Sequence, residues 1–227
     1  VGAGSFNSTG GTVDSQTGSA GIFNVAFNVA GGTLGSGAGA NLGISTTANY
    51  GGNVTIGGSG VRLTGGTQTF ADGTTVGGVL NVQGANAVFG DVTANGAVNY
   101  GAGAFNINAG KTLTANAGLN WATGAAIGGG GTLVVPVNQV LTLSGISDRV
   151  LGGVTLDNAG TVALAMGGRT LYVDSGAVLN NTGLVRFTAG SDDAINHSVG
   201  AGTFNNTGGT VDSQAGSAGI FNVAFNV

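Results

Sequence analysis

Short runs in which apolar and polar residues alternate fill this chain, and Gly, Asn, Asp or Ser bounds nearly every one. Examples are Asn53-Val-Thr-Ile56, Gly78-Val-Leu-Asn-Val82, Ala104-Phe-Asn-Ile107, Lys111-Thr-Leu-Thr114, Thr132-Leu-Val-Val135, Gln139-Val-Leu-Thr-Leu143 and Gly183-Leu-Val-Arg-Phe187. A period of two puts successive side chains on opposite faces, so each run predicts a short strand with one buried face. The longest alternation runs from Ile22 to Val29, with Phe23, Val25, Phe27 and Val29 on one side and Asn24 and Asn28 on the other. No apolar stripe of period 3.6 persists, and Gly and β-branched residues recur too often for a helix of ten residues. The pattern predicts an all-β chain of roughly twenty short strands before residue 198.

Strands this short, with no helices between them, fit either an antiparallel sandwich or a chain wound into a parallel solenoid. A sandwich needs many two-residue hairpin turns, and Asn95-Gly96 and Asp72-Gly73 are too few. One motif instead recurs in a single sense: Phe6-Asn-Ser-Thr-Gly10, Leu156-Asp-Asn-Ala-Gly160, Leu179-Asn-Asn-Thr-Gly183 and Phe204-Asn-Asn-Thr-Gly208. From Leu156 to Leu179 to Phe204 the motif advances by a step in the low twenties, which suits one coil of three strands and their turns. The expected fold is therefore a parallel β-helix, or β-solenoid, of roughly nine coils per 198 residues. Its bends and ladders are expected at Phe6, Asn7, Gly10, Asn158, Gly160, Asn181, Gly183, Phe204, Asn205 and Gly208, with Gly serving corners that demand positive φ. Phe-Asn recurs at residues 6, 23, 27, 105, 204, 221 and 225. Rings and amides aligned on adjacent coils account for it; so does the plain preference of Phe for cores and Asn for turns.

Residues 199–227 repeat residues 1–29 with three differences, Ser5/Thr203, Ser8/Asn206 and Thr17/Ala215. The expected organisation is one unit, 1–198, followed by the start of the next, 199–227. Drift between the copies favours duplication within one tandem chain over a polymer of identical subunits joined end to end. A lone coil cannot fold: four to six inward side chains contribute about 1.5–3 kcal/mol each, against about 1–2 kcal/mol for each of some twenty ordered residues. Neighbouring repeats, or identical subunits stacked end to end, are the partners this implies.

Composition sharpens this picture. With 41% hydrophobic residues and one Pro among 227, the chain is not a disordered tract, although only 6% is charged. Zero Cys leaves stability to backbone pairing and stacking. Five Lys and Arg spread along a chain of net charge −4 form no basic stripe, so nucleic acid is not an expected partner. No run approaches the roughly 20 apolar residues of a spanning helix, so no membrane insertion is expected, and no leader-like segment stands in this stretch. Sparse charge also makes repulsion between such rods small, which permits lateral bundling.

Candidate chemistry is thin. Asp192, Asp193 and His197 gather the ligating groups of one stretch and could hold a divalent cation; a polar corner between coils is the simpler account. The glycine-rich calcium nonapeptide of solenoids is absent. Asp157, Asp174 and Asp192, with Arg169 and Arg186 between them, invite a polysaccharide-cleaving groove. These three carboxylates follow one another at shorter intervals than the Asn-Gly bends do, and ion pairs on a solvated face explain them equally. Thr67/Thr69 and Thr112/Thr114 are too far apart for a regular Thr array, and Gly35-Ser-Gly37-Ala-Gly39 lacks the helix and Lys of a phosphate loop. Trp121, Tyr50, Tyr100 and Tyr172 would serve as a glycan platform only if exposed together. Asn7, Asn53, Asn180, Asn196 and Asn205 begin Asn-x-Ser/Thr triplets, which arise by chance in a sequence this rich in Asn and Thr. No cofactor and no enzymatic activity are expected.

The stretches VLNNTGLVRF (178–187) and TFNNTGGTVD (203–212) resemble the repeats of filamentous-haemagglutinin-type exoproteins and large autotransporter adhesins. That resemblance implies a right-handed parallel β-helix, an extracellular or cell-surface location, and service as the shaft of a filament used in adhesion, aggregation or matrix building. A glycan- or receptor-binding surface is the alternative it leaves open, and a polysaccharide-active β-helix the third. The family's secretion-recognition domain and membrane barrel are not in this stretch.

Overall fold

The computed structural model describes residues 4–58, 60–188, 190 and 192–227. Among them there are twenty-eight strands and no helix, and every strand-to-strand pairing is parallel. The chain winds through three faces in a fixed order. Face A begins at Ser5–Ser8, face B at Thr12–Ser15 and face C at Ala20–Phe23, after which Ala26–Ser36 returns to face A above the first strand. About ten such turns form a β-solenoid, as the recurring bends predict.

Register is strict within each face. On face B, Leu133, Leu156, Leu179 and Phe204 lie one above the next. On face C, Leu141, Val162, Val185 and Val211 do the same. A parallel pair puts like residues side by side, so a one-residue slip would turn an entire apolar column outward. The interior is one continuous core running from Phe27 to Phe204. Within it Tyr50, Phe70, Phe89 and Phe105 form a file of rings with centroids 4.5, 5.0 and 4.6 Å apart, extended through Tyr100 to Trp121.

Coil length is less uniform than the motif positions suggest. Asn99 sits over Asn81 at a sequence offset of 18, whereas Asp212 sits over Arg186 at an offset of 26. Strands must match their neighbours residue for residue, whereas corners can lengthen into solvent, so the corners absorb the variation.

Two predicted strands are broken by corners. The alternation from Ile22 to Val29 spans the end of Ala20–Phe23, a bend at Asn24 and Val25, and the start of Ala26–Ser36. Phe27 and Val29 are buried, but Val25 projects from the bend and is exposed. Likewise Gly78 ends Thr74–Gly78 with φ of +73°, and the run continues on the next face from Leu80. Alternation persists through a corner because a bend of two residues preserves inside–outside parity, so the sequence pattern alone does not reveal the break.

Candidate functional site

What recurs along this molecule is a stacking interface, best built around the Asn-Gly bends between faces B and C. Leu156–Asp157–Asn158, Leu179–Asn180–Asn181 and Phe204–Asn205–Asn206 occupy successive turns. In each, the apolar residue points inward and the next residue outward, while the third turns into the corner. Two hydrogen-bonded ladders result. Outside, Asn226 Nδ2 donates to Asn205 Oδ1, Asn205 Nδ2 to Asn180 Oδ1 and Asn180 Nδ2 to Asp157 Oδ1, each at 2.8 Å. Inside the corner, Asn158 Nδ2 donates to Asn181 Oδ1 at 2.7 Å and Asn181 Nδ2 to Asn206 Oδ1 at 2.6 Å. Asn158 and Asn181 are buried, and a buried amide must be bonded or costs about 1–3 kcal/mol. The Oδ1 atom of Asn158, above Val135, is the one buried side-chain atom left without a protein partner among the described residues.

The corner glycines act for two different reasons. Gly208 has φ of +76° and Gly10 a positive φ as well, as expected of turn formers, with open space around them. Gly160 and Gly183 have no positive φ; a methyl on Gly183 would land on the carbonyl oxygen of Gly160, and one on Gly160 on those of Pro136 and Gln139. Here glycine is demanded by the closeness of the coil beneath, a correction to the reading that all four answer to φ.

Phe-Asn acquires a structural meaning too. Phe27 is buried while Asn28 Nδ2 donates to Asn7 Oδ1 at 2.8 Å, and Asn49 Nδ2 to Asn28 Oδ1 at 2.8 Å. Rings stack within and amides without, so both members of the dipeptide are aligned on adjacent coils.

The remaining candidates are dispersed. Both carboxylate oxygens of Asp193 are taken by backbone amides: Oδ2 accepts from Met166 at 2.9 Å, and Oδ1 from Gly168 and Arg169 at 2.8 and 3.0 Å. Asp192 Oδ1 accepts from the Ala218 amide at 3.0 Å. No group of three His, Cys, Asp or Glu stands within reach of one cation among the described residues. Asp157 lies on the outer side of face B, Asp174 ends a strand of face A, and Arg186 on face C pairs with Asp212 at 2.9 Å. These groups do not converge on one groove. Tyr50, Tyr100 and Trp121 are buried in the ring file, leaving only Tyr172 of the four aromatic candidates reaching the surface. Burial raises the Tyr50 hydroxyl, which donates to Gln68 Oε1 at 2.7 Å, and pushes Tyr100 up to about 12. Thr67/Thr69 and Thr112/Thr114 fall on different faces.

Polar residues also tie coils together: Asp174, which the sequence offered as a groove carboxylate, and Arg149 and Lys111, which pattern reading did not single out. Asp174 is buried; burial opposes its ionisation, but hydrogen bonds from the Ser198 and Val199 amides and the Ser198 hydroxyl prevail and hold its carboxyl below the ordinary range. Arg149 is buried and gives its guanidinium to the carbonyls of Trp121, Ser144, Ser147 and Asp148. Lys111 bridges Asp72 and Asp91 on three successive A–B corners, which lowers Asp72 and raises Lys111. The signal was available: Asp72 and Asp91 are offset by 19, and Asp91 and Lys111 by 20, which is the local coil length.

No family model, curated protein or solved structure matches the chain.

Proposed function

We propose that this chain is a structural module, one unit of a tandem array that forms the shaft of a long extracellular filament. The observation that carries the reading is the second copy of the first coil. Residues 199–227 stack in register on the preceding coil, with Phe204 over Leu179 and Asn205 over Asn180, which supports a unit that starts again there. Such a filament gives reach and cohesion, by resemblance to filamentous-haemagglutinin-type exoproteins and autotransporter adhesins, and needs no cofactor. Its partners are the neighbouring repeats and, laterally, rods of the same kind. Five Lys and Arg in 227 residues leave trypsin few sites, which suits an exposed fibre.

The decisive measurement is the mass of the native polypeptide under denaturing conditions, together with imaging of native fibres. A chain many times 21.5 kDa and rods of uniform width support the array. Discrete chains of one unit, or compact particles, refute it. With so few charges, bundling should barely respond to moderate salt; dispersal by salt counts against lateral cohesion of this origin.

A further inference from the structure

The two copies of the first coil do not lie on the same face. Ser5–Ser8 is a strand of face A, pairing with residues 26–29. Its counterpart Thr203–Asn205 pairs downward with Val178–Asn180 and is a strand of face B. Four long strands, Ala26–Ser36, Ala48–Gly57, Leu80–Phe89 and Val98–Ile107, each serve two faces. Counting them so, the chain makes twenty-eight steps from face to face between the copies, three to a turn, which is nine and one third turns. The copies nevertheless keep the same ladder bond. Asn28 bonds Asn7, and Asn226 bonds Asn205, both at 2.8 Å and both at a sequence offset of 21.

The junction is bonded as tightly as the interior. Asn180 and Asn205, on either side of it, are successive rungs of one ladder. Arg186 on face C reaches Asp212, the counterpart of Asp14, so the ion pair joins face C of one unit to what is face B in the next.

We infer, resting on the tandem-array reading, that the filament has a threefold screw: each unit advances about 45 Å, at about 4.8 Å per coil, and turns by one face. Along any one side of the rod the chemistry of faces C, B and A follows in turn. Those faces differ. The charged residues in the strands of face A, Arg149 and Asp174, are both buried, so the flat of that face is uncharged and its charges stand on the corners, Asp72, Asp91 and Lys111 along one edge and Asp148, Arg169 and Asp192 along the other; the strands of face B carry Asp14 and Asp157, and those of face C carry Arg62 and Arg186. A second copy of the same rod is the partner this surface fits, because laying the flat of one A stretch on another buries no strand-borne ion and leaves the corner charges at the rim in water. The screw presents those A stretches in three directions. Rods therefore pack into three-dimensional bundles, whereas a unit of nine whole turns would keep every A stretch on one side, and contact between like sides would close on a pair of rods.

Two measurements test this separately from the array itself. The 227-residue chain has no Cys, so pyrene can be attached to paired cysteines introduced by Asn180→Cys with Asn205→Cys, and by Val178→Cys with Thr203→Cys as a second pair that spares the ladder. Both pairs should give excimer emission, and Asn196→Cys with Asn205→Cys should not. Excimer from the last pair, or from neither stacked pair, overturns the one-third turn. In the second measurement, a tandem gene carrying six copies of residues 1–198 followed by 199–227 is imaged as fibres. The expected result is an axial repeat of about 135 Å, three units of about 45 Å, with rods in bundles. A repeat of one unit overturns the screw, and rods that stop at pairs or stay unassociated overturn the lateral contact. Failure of the array is read from the native chain mass and leaves these outcomes unaffected.

Discussion

Residues 1–29 and 199–227 share a sequence but sit in opposite surroundings. In the first copy Phe27 is fully buried beneath the coil above, and Phe6, with no coil below it among the described residues, is 37% exposed. In the second copy the assignments exchange: Phe204 is fully buried on Leu179, and Phe225 is 42% exposed. Within each copy the three rings keep nearly the same spacing. Phe6–Phe23–Phe27 has centroid distances of 5.4, 4.6 and 5.2 Å, and Phe204–Phe221–Phe225 has 5.4, 5.3 and 5.1 Å. The local sequence thus sets the spacing of the rings, while the neighbours set how much of them is hidden and how they tilt, Phe6 on Phe27 at 14° and Phe204 on Phe225 at 71°. Since burial carries most of the stabilisation, equal sequences have unequal weight in the 227-residue chain, which leaves a different coil of each copy uncovered.

The largest test of that statement is Phe204→Ala against Phe6→Ala. The first should cost about 3–5 kcal/mol and the second about 1 kcal/mol in denaturant unfolding; equal losses would break the comparison. Next come the glycines of the corner. Gly183→Ala forces a methyl onto the Gly160 carbonyl and should cost about 1–3 kcal/mol or more. Gly208→Ala meets no atom and bears only the strain of positive φ, about 1 kcal/mol.

Asp174 anchors Ser198 and Val199, where the second copy begins. Its pKa is lowered in the folded chain. The stabilisation is therefore present above the unfolded carboxyl pKa and lost as pH falls through the folded value. Acid titration should loosen residues 198–227 before 4–58, read by hydrogen exchange, and Asp174→Asn should abolish that order at a cost of about 1–2 kcal/mol.

A smaller difference is expected in the ladder. Asn205→Ala removes a rung bonded on both sides and should cost about 1 kcal/mol, while Asn7→Ala, bonded to Asn28 at the end of its ladder, should cost a few tenths. The smallest effect belongs to Arg186→Ala. Its pair with Asp212 is more than a third exposed, so the loss should stay under about 1 kcal/mol and vanish at high salt.

Much of this was legible in the sequence, and the rest failed for definite reasons. Leu156, Leu179 and Phe204 announce the stacked bend because like neighbours in parallel register leave like residues one coil apart. The Asp72–Asp91–Lys111 group escaped notice because the coil length differs between halves of the chain, and an offset of 19 or 20 means nothing until that local length is known. Asp193 and Asp174 read as candidate chemistry because a carboxylate that binds backbone amides leaves no trace in a pattern of side chains.

By itself, the sequence determined that the chain is all strands, that its coils stack, and that residues 199–227 repeat residues 1–29. Alternation, bend residues and repetition are local or periodic properties, and they survive translation along a chain. Only the tertiary structure decided which face each strand occupies, where a long alternation bends around a corner, and that the second copy starts one face further on. Those depend on corner geometry and on the running total of turns, which no single segment carries and which accumulates only as each coil settles on the one beneath it.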